Sequence, residues 1–594
     1  MMERSHIGRS TRRRFLLGTA GVIGAAALGT SGSPARAAAR VARPTVAVLG
    51  GGVGGLSAAH ELAERDFAVT VYERRALGGK ARSIPVPGTG QGGRRDLPGE
   101  HGLRAVFGIY HNLPDTLRRI PFPGNANGVF GNLVDVPQVA LARSGGREDL
   151  HLSVPMSEPA MVPATPEQLI ANLRALMETA AHLPPTEALA FANRMFVYLT
   201  SCDERRLGQW EHTPWWDFIR AEQMSEDYRR LFGSGATRLV IASRPQETSA
   251  HTVASVAEAF FYNIQGRGSD GAPTRILNLP TNEAWIDPWE TYLRGLGVRF
   301  HVGWTVRDLV MDGGRVAAAE VTDPRGDRQR ITADFYVCAM PIERARAVWN
   351  DQVLAADPRL VQAATLPTEW MTGIQYYLRR PAPILPGHVL YIDSPWALVS
   401  VSQAQFWPGR NLPADYGDGT VAESLSVVIS DWDTPGPVSG KPARELSAEQ
   451  VAAEAWTQLK DHLNDTGRQV LTDADLVTWF LDPAVTGLGG PSPTHEEPLL
   501  IHPVGSWQRR PSARTAIPNL VLAADYVATN MNLATMEGAN EAAREAVNAI
   551  LDAMGSSHPR APIRTRYRPP ELDLVKEEDL ARYRQGLPNR FDTG

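Results

Sequence analysis

Three glycines, Gly50, Gly52 and Gly55, are spaced G-x-G-x-x-G within residues 45–73, TVAVLGGGVGGLSAAHELAERDFAVTVYE. That spacing does its chemistry with the backbone. Gly50 permits a tight turn, Gly52 lets the chain approach a pyrophosphate, and Gly55 lets a helix pack closely on a strand. Val53 opens that helix, whose unpaired N–H groups and positive dipole end favour phosphate oxygens. Glu73, 18 residues beyond Gly55, is placed to accept hydrogen bonds from a ribose diol. The order of elements strengthens the motif. Residues 45–49 form the apolar run of a buried strand, an apolar-periodic helix follows, and a second strand, 69–72, ends in the acid. This predicts a dinucleotide site on an α/β fold.

Further motifs say which dinucleotide. Glu73 is followed by RRALGGKAR (residues 74–82), and residues 519–543 read NLVLAADYVATNMNLATMEGANEAA. With these segments the chain resembles the flavin amine oxidase and phytoene desaturase superfamily. Residues 100–104, 110–121 and 279–289 are similar to stretches of its carotenoid desaturase and hydroxysqualene dehydroxylase-like members. The resemblance implies a Rossmann-type, GR2-like FAD-binding domain with an inserted α+β substrate domain. It implies noncovalent FAD, with Gly79 and Arg82 at the diphosphate and Val306 touching the adenine through its backbone. Asp525 would bond the ribityl or phosphate region, and Met536 and Glu537 would lie beside the isoalloxazine. Ala524 departs from the family, which usually has Gly there.

The same resemblance carries Glu100, His101, Gly102 and Arg104 under the flavin, where they would meet the ring or a substrate oxygen. His101 is then the best-placed acid or base, since an imidazole exchanges protons near neutral pH; the alternative is a structural histidine bonded to backbone. Trp507 falls where superfamily members put an aromatic residue facing the flavin, and would wall off an apolar substrate; equally it is a core residue. Asn282 reads as a helix cap with Glu283 in the first turn. Amine oxidases of the superfamily place a Lys that holds a water near the flavin. The four lysines here, Lys80, Lys441, Lys460 and Lys576, do not stand where such a residue is expected. The expected activity is hydride abstraction from a largely apolar small molecule, with reoxidation by oxygen or a quinone; amine or amino-acid oxidation is the second reading.

The elements that must position these groups come from separated segments. The FAD domain is expected at 44–110, 280–345 and 505–555, the substrate domain at 111–279 and 346–504, and a polar tail at 559–594, wrapped on the surface or mobile. Residues 1–37 read as a twin-arginine signal peptide: Arg12-Arg13-Arg14 precedes an apolar stretch too short to span a bilayer, and Ala35-Arg36-Ala37 is a small-x-small site. Export of a folded, cofactor-loaded protein by the twin-arginine machinery follows. A formal charge of −5 gives no basic field for nucleic acid. No cysteine–histidine cluster has metal-ligand spacing. Cys202 and Cys338 are the only cysteines, and nothing in the sequence favours their pairing.

Overall fold

Strands from distant parts of the chain meet in the sheet that carries the glycine turn. The computed structural model describes residues 43–102, 104–153, 170, 171, 174 and 183–593; the expected leader lies outside them. The sheet runs Arg299–Val302, Ala68–Glu73, Thr45–Leu49, Phe335–Cys338, Leu520–Leu522, and every pair is parallel. Val46 is the partner of both Val69 and Phe335, and Tyr336 that of Leu520. Both faces are covered, which is why the central strands are continuous apolar runs rather than alternating ones. The helices Val53–Ala63 and Met536–Ala553 pack together through small residues, with Asn540 donating to Ser57 at 2.8 Å. The antiparallel strands Thr305–Asp312, Arg315–Thr322 and Arg328–Ile331 are tied to the sheet by Asn519, whose amide exchanges two 2.9 Å bonds with the Val316 backbone.

This core extends past the expected boundaries. Leu113 and Leu117 of the helix Asn112–Arg119 belong to it, as do Trp349, Val353 and Leu360. A second, seven-stranded sheet forms the other lobe, in the order Leu476–Leu481, Thr372–Leu378, Glu423–Ile429, Val399–Ser402, Gly387–Tyr391, Gln138–Ala142, Leu150–Ser153. The helix Ala448–Leu463, started by a capping box of Ser447 and Gln450, packs on it through Trp456 against Tyr376. A helical cluster around Tyr198, Trp215, Phe218 and Tyr262 completes the molecule.

The tail takes the first of its two expected forms, wrapped on the surface: its helix Asp573–Arg584 presents Asp579, buried, to the equally buried Arg205 at 3.0 Å. One expectation needs correction. Asn282 does not cap a helix; its side-chain oxygen accepts from the Ser83 N–H at 2.9 Å, and Glu283 pairs with Arg410 and Arg95. Both cysteines are buried free thiols. No described helix is long and apolar enough to cross a membrane.

Candidate functional site

At the end of the first strand the chain turns through Gly50, whose φ of +115° favours glycine; a Cβ there would lie 2.8 Å from the Ala339 carbonyl oxygen. Gly52 is the N-cap of the following helix, and no side chain caps it. A second glycine turn leans on the first. Gly78 N–H donates to Gly51 O at 2.9 Å, and a Cβ on Gly79 would come within 2.9 Å of Gly52 Cα. The result is a side-chain-free floor in front of an open helix N-terminus, which fits a diphosphate. Glu73 closes one edge, accepting from the N–H groups of Gly51 and Arg75, both at 2.8 Å. Beside it Tyr72, His301 and Trp304 form an aromatic wall, Tyr72 stacking on His301 at 5.0 Å; Val306 follows on the next strand. An acid next to flat rings fits a ribose and its base.

Two glycines of the helix lie against backbone, and they differ in what they face. Gly55 lies against Gly50, where a Cβ would sit 1.9 Å from the carbonyl oxygen. Gly54, which the motif does not single out, lies against Ala523, where a Cβ would sit 2.0 Å from the carbonyl oxygen. Five cations surround the second glycine turn: Arg74, Arg75, Lys80, Arg82 and Arg344 form ion pairs with Glu343, Glu496 and Glu497. The buried Arg82 donates to Gly79 O at 2.6 Å and to Glu497 at 3.1 Å. A diphosphate among these cations would gain charge-assisted hydrogen bonds.

At the other end of the domain, Asp525 is half-buried, and its carboxylate makes no hydrogen bond among the described residues. Its peptide oxygen accepts from Arg510 at 3.0 Å, which fixes the turn. Met536 opens the helix Met536–Ala553 behind the cap Thr535. Glu537 does another job than the one expected of it. Its carboxylate accepts from the N–H groups of His111, Asn112 and Leu113 at 2.7–3.0 Å, so it caps the helix Asn112–Arg119 from a distant segment. Those bonds engage its carboxylate, while its backbone stays in the first turn of the helix Met536–Ala553.

Residues 98–102 run between the two lobes. The strand Pro98–Glu100 pairs with Ser83–Pro85, and His101 O accepts from Gly373 N–H of the large sheet. Glu100 is buried, bonded to Thr281 and 4.0 Å from Arg104. Burial pushes its carboxyl up to about 7, against the opposing pull of Arg104. The folded protein therefore holds a proton that the unfolded chain, with an ordinary value of 4.5, releases. This contribution favours folding below the unfolded value and declines as pH rises towards the folded one, by about 3 kcal/mol in all. Melting curves of Glu100→Gln between about pH 5 and 7 should be flatter than those of the wild type. Gly102 is not sterically required, since a Cβ there would meet nothing nearer than 3.7 Å.

His101 bonds a carboxylate rather than backbone. Its Nδ1 makes a short hydrogen bond to the fully buried Asp482 and lies 3.6 Å from Glu497. A carboxylate only accepts, so Nδ1 carries the hydrogen and Nε2 is the atom left to take a proton. Burial raises the Asp482 carboxyl, but the hydrogen bond and charge of His101 outweigh it and hold the group below its usual range. Asp482 and Glu497 were invisible to spacing arguments, lying about 380 and 400 residues from His101 in irregular chain. Trp507 makes other contacts: its ring lies 6.0 Å from that of His251, and its backbone N–H donates to Glu211 at 2.7 Å.

Comparison with known proteins gives consistent findings. The profile of a family described as flavin containing amine oxidoreductase matches residues 53–551. A carotenoid phi-ring synthase of Streptomyces griseus is 27% identical, over 86% of this chain and 88% of its own. A zeta-carotene desaturase of Synechocystis sp. is 24% identical, over 85% and 97%. Among solved structures, putrescine oxidase superposes with a TM-score of 0.56 at 13% identity, over 86% of this chain and 99% of its own. Cyclohexylamine oxidase from Brevibacterium oxydans gives 0.53 at 15%, over 86% and 100%. At those identities the two oxidases are alike in fold alone.

Proposed function

Since the chain belongs to the family of flavin-containing amine oxidoreductases, we propose that it is an FAD-dependent enzyme that removes hydride from a largely apolar, unsaturated substrate, forming a C=C bond or an aromatic ring. The observation that carries this reading is the placement of the lysines. Lys80 is held by Glu343 at 2.9 Å and by the Pro498 carbonyl; Lys460 is on Asp473 at 2.6 Å. Lys441 lies in the loop before the helix Ala448–Leu463, and Lys576 is on the tail helix. None is free to hold a water against a flavin as an amine oxidase does. Two relatives named for carotenoid chemistry, matched over most of their length, support the same reading.

Bound FAD would supply the hydride acceptor. It would be held noncovalently by the two glycine turns, Glu73, Arg82 and Asp525. The chain's own residues then hold the substrate in a lobe whose sheet strands are almost wholly buried and exclude water. His101 takes the accompanying proton at Nε2, and Asp482 steadies the imidazolium. The leader-like residues 1–37 support export by the twin-arginine route.

Replacing Glu73 by Ala should weaken FAD binding by about 1.5–3 kcal/mol, one charge-assisted pair to the ribose, read as flavin released on serial dilution. The functional reading is tested by supplying holoprotein with polyenes bearing cyclic ends and, separately, with primary amines. A desaturated product from the polyenes supports it, and peroxide from the amines refutes it.

A further inference from the structure

Two histidines face each other where residues 98–102 meet the large sheet, the rings of His101 and His495 lying 6.3 Å apart and nearly perpendicular. Their surroundings fix opposite tautomers. His101 has its hydrogen on Nδ1, against Asp482, so that in the neutral ring the lone pair is on Nε2. His495 is the reverse. The backbone N–H of Glu497 donates to its Nδ1 at 3.0 Å, so that nitrogen keeps its lone pair and the hydrogen of the neutral ring sits on Nε2. That Nε2 is buried and has no hydrogen-bond partner. The ring remains neutral, because burial and then the charge of His101 pull its pKa down to about 4; the other charged groups facing it are Asp482, Lys80 and Glu497.

A buried N–H without an acceptor is costly, and such groups in folded proteins call for an explanation. Packing explains only part of this one. Trp370 stands 5.6 Å from the His495 ring and also lines a cavity of about 200 Å³ with Trp432, Ser430, Arg244 and Glu247. An apolar ring would fill the place beside Trp370 as well as an imidazole does. The polar atom is what needs a reason, and its ring stands 6.3 Å from that of His101.

We propose that His495 is a hydrogen-bond donor to bound ligand: its Nε2–H meets a lone-pair acceptor, an oxygen or a ring nitrogen, on the flavin or on the substrate. The inference rests on the flavin-enzyme reading and deepens it. The site then holds a proton acceptor and a fixed donor side by side, the donor being a neutral imidazole that stabilises developing negative charge without giving up its hydrogen.

Two variants separate the donor from its packing. His495→Phe retains a ring against Trp370 but has no N–H; His495→Gln retains an N–H near the position of Nε2. Turnover is expected to fall about 100-fold in His495→Phe and to be largely restored in His495→Gln. An acceptor on the flavin shifts the visible band of substrate-free His495→Phe holoprotein. An acceptor on the substrate leaves that band alone and slows only substrate-dependent bleaching. Wild-type turnover in His495→Phe, or equal losses in both variants, would overturn the proposal. Nitrogen NMR of histidine-labelled wild-type protein reads the tautomer without any turnover. A neutral Nε2–H ring above about pH 5 is expected, and an Nδ1–H ring overturns the proposal whatever the substrate. Failure of the functional reading looks different: the expected tautomer, with a flavin that no polyene bleaches.

Discussion

Asp482→Asn should slow flavin reduction by substrate about 10²- to 10⁴-fold while leaving the bound flavin in place. The reason lies in the second oxygen of Asp482, which accepts the Ala484 N–H at 2.7 Å. That N–H demands an acceptor, so the carbonyl oxygen of an introduced Asn stays with it and the amide NH₂ turns towards His101. Nδ1 must then accept, the hydrogen moves to Nε2, and the ring can no longer take a proton there. His101→Ala should lose a similar factor, and the double variant little more, because the two act as one unit. Anaerobic stopped-flow bleaching of the flavin band measures the effect. A rate within a few-fold of wild type would remove His101 from the chemistry.

Gly54→Ala should cost at least about 3 kcal/mol of stability and abolish flavin retention. The new Cβ would lie 2.0 Å from the Ala523 carbonyl oxygen, a contact between backbones that no rotamer relieves. The helix start or the strand end must move by roughly an ångström, and that shift carries with it the N-terminus that faces the phosphates and the turn that holds Asp525. Gly52→Ala is the control. Its φ of −73° is ordinary, and the nearest atom to its Cβ would be 3.8 Å away. It should fold normally and bind flavin more weakly, because the methyl group enters the cradle rather than the core. Thermal melts and flavin content of the two proteins test the distinction between a packing glycine and a ligand glycine.

The dinucleotide half of the molecule was legible because its signals are local. Strand, turn, helix, strand and acid follow one another within residues 45–73, and the periodicity of each element is visible in a short window. The separated strands at 299–302, 335–338 and 520–522 could be placed from their apolar runs and the resemblance to a family. What escaped depends on contacts across long separations. Glu537 carries no mark of capping a helix more than 400 residues earlier in the chain. His101 gains its partner from an irregular stretch after the strand Leu476–Leu481, and His495 gains its tautomer from a backbone N–H. The tail helix buries Asp579 against Arg205 rather than an apolar stripe, so its composition reads as a solvated segment. Polar pairing is specific in three dimensions and nearly silent in one.

The most direct test of the central claim is anaerobic mixing of the yellow holoprotein with candidate substrates, following the visible flavin band. Rapid bleaching by an apolar polyene, with a product carrying one more double bond and no response to mono- or diamines, is the result this structure leads us to expect. Bleaching by amines, with polyenes inert, would contradict it.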